Sequence, residues 1–105
     1  MKIDKKLKEE VIKKISDLNK ILFKNQKECY KPRFSGSFIY LDYFNGVNTE
    51  RRCRLKYDGD MNDLSFAIFK WSSETYDDED WFFPGSEEVN GTIEGSMRAG
   101  ILAYS

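Results

Sequence analysis

The chain contains no histidine, and that gap removes the side chain most often used as a general acid or base near neutral pH. The Ser–His and Cys–His nucleophile pairs are excluded with it. Cys29 and Cys53 are the only cysteines, without a CxxC spacing or an imidazole to complete a ligand set, so no zinc site is expected and both thiols are read as reduced. No apolar run approaches the ~18 to 20 residues that span a bilayer. The opening Met-Lys-Ile-Asp-Lys-Lys leads into alternating charge and not into the apolar stretch of an export signal. These absences point to a cytoplasmic protein with no membrane partner, no metal, no cofactor and no recognisable catalytic constellation.

What is present describes a folded chain. Its 105 residues suit one domain with a single core. Aromatics make up 15% of the chain, and a disordered chain is poor in the rings that offset conformational entropy. The formal net charge of -1 hides an asymmetry. Lys2, Lys5, Lys6, Lys8, Lys13, Lys14, Lys20, Lys24 and Lys27 make the first quarter basic, while residues 74–94 are acidic. The two ends are expected to attract each other, because a nucleic-acid footprint normally leaves the whole domain basic.

Leu7, Val11, Ile12, Ile15, Leu18, Ile21, Leu22 and Phe23 recur at three-and-four spacing, which predicts an amphipathic helix over residues 4–23 with Asn25 as its stop. Residues 34–44 are rich in aromatic and β-branched types and read as a strand, weakened or bulged at Ser35-Gly36-Ser37. Asn45-Gly46 is a hairpin signal, and Val47-Asn48 lengthens the loop. Residues 49–57 alternate Cys53, Leu55 and Tyr57 against Arg52, Arg54 and Lys56, one side for the core and one for water. A third strand over 64–71 carries apolar residues on both faces, so its second face is either wrapped or a binding surface. Trp81-Phe82-Phe83 adds a short fourth strand ended by Pro84-Gly85. The stripe Ile93, Met97, Ile101 and Tyr104 predicts a last helix over 92–104, capped by Asn90 or Thr92, whose Gly95 and Gly100 allow close approach to the sheet.

Three constellations could carry function. Asp58-x-Asp60-x-Asn62 imitates the opening of a calcium loop, but Asp63 and Phe69 stand where that loop needs Gly and Glu, so a solvated turn is expected. Arg51, Arg52, Arg54 and Lys56 form the sharpest basic patch, near Phe38, Tyr40 or Tyr43, and cations beside rings suit single-stranded nucleic acid. The element order resembles the double-stranded-RNA-binding domain in topology. That family places a lysine cluster at the start of its last helix, where this chain has Glu87, Glu88, Glu94 and only Arg98.

The third constellation is Trp-Phe-Phe-Pro-Gly at 81–85 with Gly-Thr-Ile-Glu-Gly-Ser-Met-Arg-Ala-Gly at 91–100. It resembles the C-terminal part of a group of small bacterial proteins of no assigned function, over about the last two-thirds of the chain. That resemblance implies no catalytic residues. Structurally, the segment reads as rings closing the core, a turn at Pro84-Gly85 and a Glu94–Arg98 pair at i,i+4.

The expected fold is α+β: a long N-terminal helix, an antiparallel meander of three to four strands and a short C-terminal helix, with a cystatin-like curled sheet as the alternative. The expected function is a small protein-binding or regulatory module anchored by Trp71, Trp81 and Phe82, its partner another protein or a second copy of the chain. Nucleic-acid binding through Arg52, Arg54 and Lys56 is the alternative, and a carboxylate-dependent enzyme is the third class. The position of those cations discriminates: neutralised by carboxylates they are structural, and beside exposed rings they are a site.

Overall fold

Residues 2–24, 27–79 and 82–104, described by a computed structural model, adopt an α+β arrangement of two helices and one five-stranded antiparallel sheet. Helix α1 (Lys5–Leu22) begins at Asp4, whose carboxylate accepts the Leu7 N–H at 2.8 Å. That cap offsets the lysines in the first turn, which oppose the helix dipole. Val11, Ile15 and Leu18 form its buried stripe. Ile3, just ahead of the cap, is also in the core, and its N–H bonds the Gly36 carbonyl at 3.0 Å. Phe23 ends the helix, and Asn25 lies outside the described residues. No helix among the described residues is long and apolar enough to cross a membrane.

The strands run β1 (Cys29–Ser35), β2 (Phe38–Phe44), β3 (Thr49–Lys56), β4 (Ser65–Lys70) and β5 (Thr75–Asp77), each paired with the next. The single strand expected over 34–44 is instead the turn and second arm of a hairpin. Ser35 stands opposite Phe38, and Gly36-Ser37 form the two-residue turn. Pro32 sits inside β1, which tolerates it because β1 is an edge strand. Asn19 ties that edge to α1, donating to the Tyr30 carbonyl at 3.0 Å and accepting its N–H at 2.8 Å. The Asn45 loop is long, as Val47-Asn48 suggested: Phe44 faces Thr49, and the Asn45 side chain accepts from the N–H groups of Val47 and Asn48.

The fourth strand expected at 81–83 does not form at the described residues of that segment. Phe82 and Phe83 belong to no strand, Trp81 lies outside the described residues, and the sheet is completed by β5, which sets Tyr76 opposite Phe69. Phe83 is consumed elsewhere, its ring stacked on Phe66 at 5.7 Å, and the chain then enters a single helical turn at Ser86–Glu88.

Both helices pack on one face of the sheet. Ile39, Leu41, Leu55 and Ile68 project from that face and are fully buried. Each such side chain contributes about 1.5–3 kcal/mol relative to exposure. Helix α2 (Ile93–Ala103) starts at Thr92, whose hydroxyl accepts the Gly95 N–H at 3.1 Å. The Tyr30 hydroxyl donates to the Met97 carbonyl at 2.7 Å. A Cβ at Gly100 would fall on that hydroxyl and within 3.0 Å of Arg52 Cγ, so the glycine allows the close approach expected of it. Gly95 instead faces the preceding loop, against the Glu88 carbonyl.

Candidate recognition surface

Strict alternation along β3 would put Arg52, Arg54 and Lys56 on one face, and a β-bulge prevents it. Leu41 stands opposite Cys53, yet its neighbour Asp42 stands opposite Arg51, so Arg52 is the extra residue. The bulge turns Arg52 to the helical face and Arg51 to the open one.

Arg52 is therefore a structural clamp and not a member of an exposed basic stripe. It is 5% exposed, with its guanidinium centred 4.2 Å from the Tyr43 ring and 4.9 Å from Tyr104. Nη1 donates to the Gly100 carbonyl at 2.7 Å, and Nη2 lies 3.6 Å from Glu50. Tyr43, expected beside the exposed cations, shares this interior. Burial first, then a hydrogen bond to Glu28, pushes its hydroxyl pKa up to about 12.

The open face has a different chemistry. Residues directly opposite in register share a face, so one row across the sheet reads Arg33, Tyr40, Arg54 and Ala67. The adjoining rows bring Lys31 and Arg51 to either side of Asp42, and Lys56 beside Phe38. Cations lie over rings throughout: Arg33 over Tyr40 at 4.4 Å, Lys31 over Phe44 at 4.5 Å, and Arg54 over both Phe38 at 4.6 Å and Tyr76 at 5.3 Å. The rings touch in an unbroken path, from Phe38 to Tyr40 (6.2 Å), Tyr76 (5.4 Å), Phe69 (5.1 Å) and Trp71 (4.9 Å). Neighbouring rings thus bury Phe69, which answers how β4 can be apolar on both sides.

Asp42 is the one carboxylate in these rows, and it is already engaged. It holds Arg33 through two bonds of 3.0 and 3.2 Å, and that bond raises the Arg33 pKa. Among the described residues no ion pair neutralises Lys31, Arg51, Arg54 or Lys56. None joins α1 to the acidic segment either. Each exposed cation–ring contact is worth only about 0.5–1 kcal/mol, but two of them hold the flat Arg54 guanidinium in place while no ion pair takes its donors.

Of the residues singled out from sequence, Arg54 and Lys56 lie on this face and Trp71, 50% exposed, ends its ring path. Phe82 is 97% exposed in the segment after β5, Trp81 lies outside the described residues, and Arg52 is buried beneath the sheet. Arg33 and Tyr76 escaped notice. The alternation of Cys29, Lys31, Arg33 and Ser35 with Tyr30, Pro32 and Phe34 signals β1 once Pro32 is allowed an edge position.

Other parts of the molecule carry less. A cleft of about 490 Å³ between α1 and the start of α2 mixes Glu10, Glu88 and Glu94 with Lys14 and Arg98, so neither sign prevails strongly. Cys53 is fully buried, which pushes its thiol far above its ordinary range and away from reactivity. Asp60 is used locally, accepting the Asn62 N–H at 2.8 Å in a turn. Comparison with protein-family models, curated proteins and solved structures returns no match for this chain, and the open face is read from its own chemistry.

Proposed function

We propose that the protein is a small binding module whose open sheet face holds a polyanionic partner. The observation that carries this reading is the excess of Lys31, Arg33, Arg51, Arg54 and Lys56 over Asp42 on one face of a chain whose net charge is -1. Such a local surplus costs electrostatic self-repulsion and is useful when a partner neutralises it. The rings beneath the guanidiniums preset their orientation, so less freedom is lost on binding. Helix α1 is richer in lysine, but Glu9, Glu10 and Asp17 interleave with those lysines and no ring ladder supports them.

Retention on immobilised heparin at about 50 mM salt tests the reading. The wild type is expected to be retained despite its acidic balance, R51E/R54E to flow through with an unchanged circular-dichroism spectrum, and K13E/K14E to elute with the wild type. Flow-through of the wild type, or equal retention of R51E/R54E, would contradict it.

A further inference from the structure

We infer that the polyanion is a single strand of nucleic acid, an inference that rests on the polyanion reading above. Two features separate this occupant from an acidic protein. Protein interfaces deplete lysine, although they enrich arginine and aromatic rings, and Lys31 and Lys56 both stand in these rows. Here Arg54 lies in the central row, over Phe38 and Tyr76, and the cations are interleaved with the rings throughout. That interleaving matches a chain which repeats a phosphate and a flat base at every step, with cations pairing the phosphates and rings stacking the bases.

Duplexes fit poorly. Their bases are hidden, and the major groove admits a helix or a two-stranded ribbon, not a five-stranded sheet. Single strands present their bases to ring-bearing sheets, where about two or three are stacked at once. Phe38, Tyr40, Tyr76 and Trp71 are the accessible rings of the path and supply such a platform, with Trp71 the most exposed and Phe69 buried beneath them. Arg51, Arg54 and Lys56 are assigned to phosphates. Arg33, held by Asp42, positions Tyr40.

Fluorescence anisotropy with a labelled single strand of about twelve nucleotides tests this, a length within the ~4–16-nucleotide sites of such surfaces. Three phosphate contacts predict an affinity that falls about 20-fold between ~50 and ~200 mM salt. R51E/R54E should bind at least about tenfold more weakly. W71L, which removes a half-exposed ring and no charge, should weaken binding by about fivefold or more. Should R51E/R54E melt early, K56Q, at an exposed position, carries the charge test alone. A duplex of the same sequence and a poly-L-glutamate of matched charge are expected to bind about tenfold more weakly than the strand. Equal binding of poly-L-glutamate with W71L silent would overturn the inference in favour of an acidic protein. Tighter binding of the duplex would overturn it in favour of paired nucleic acid. Retention on heparin without strand binding would overturn it while leaving the polyanion reading intact, and loss of both would remove both.

Discussion

Replacing Arg52 by alanine is expected to lower the unfolding free energy by about 3 kcal/mol, and the melting midpoint by roughly 12 °C or more for a domain of this size. The dominant loss is the 2.7 Å charge-assisted bond to the Gly100 carbonyl, left unpaired in the interior by the substitution. The gap between the Tyr43 and Tyr104 rings adds a packing cost. Glu50 contributes little, since its partner nitrogen is 3.6 Å away and its own side chain is 39% exposed. Nor is the guanidinium fully used, for Nε has no acceptor among the described residues. R52M refills most of the volume but cannot donate to the Gly100 carbonyl, so it should lose more than half of what R52A loses. Thermal melts followed by circular dichroism read both variants, and R52A melting within a few degrees of the wild type would show that Arg52 does not clamp α2 to the sheet.

Gly91→Ala is expected to cost about 2 to 3 kcal/mol although it adds a single methyl group. Gly91 has a φ of +85°, a conformation L residues adopt with strain. A Cβ there would also lie 2.7 Å from the Asn62 carbonyl oxygen and 3.2 Å from Asp63 Cα, both backbone atoms that cannot swing aside. The same residue accepts the Leu64 N–H at 2.9 Å, joining the start of β4 to the segment that leads into α2. Shifting the loop to relieve the contact would break that bond. Urea unfolding measures the cost, with the transition midpoint falling and the slope unchanged. A midpoint equal to the wild type would mean that the loop relaxes freely and does not lock α2.

These two residues mark where sequence reasoning stops. Helices α1 and α2 were legible because a three-and-four apolar stripe, joined in α2 by a polar cap at Thr92, is a local signal. The β1–β2 hairpin was not, because ring-rich sequence continues through Gly36-Ser37 and Pro32 reads as a breaker until β1 is known to be an edge. At Thr75–Asp77, β5 is too short to show alternation. The bulge at Arg52 is a property of the register between two strands and leaves no mark in either one alone. It decided which cations lie on the open face, because it withdrew Arg52 from that face and supplied Arg51 instead. Arg54, Lys56 and Trp71 were visible from sequence. Their meeting with Arg33 and Tyr76 across the sheet depends on the meander, which brings residues far apart in sequence into one row.

On the reading proposed above, the open sheet face receives the partner and the lysine-rich first helix does not. Amide chemical-shift mapping during titration with a heparin fragment tests it most directly. The largest changes are expected at Tyr40, Arg51, Arg54, Ala67 and Tyr76, with α1 near background. Changes concentrated along Lys5–Leu22, with the sheet rows silent, would contradict it.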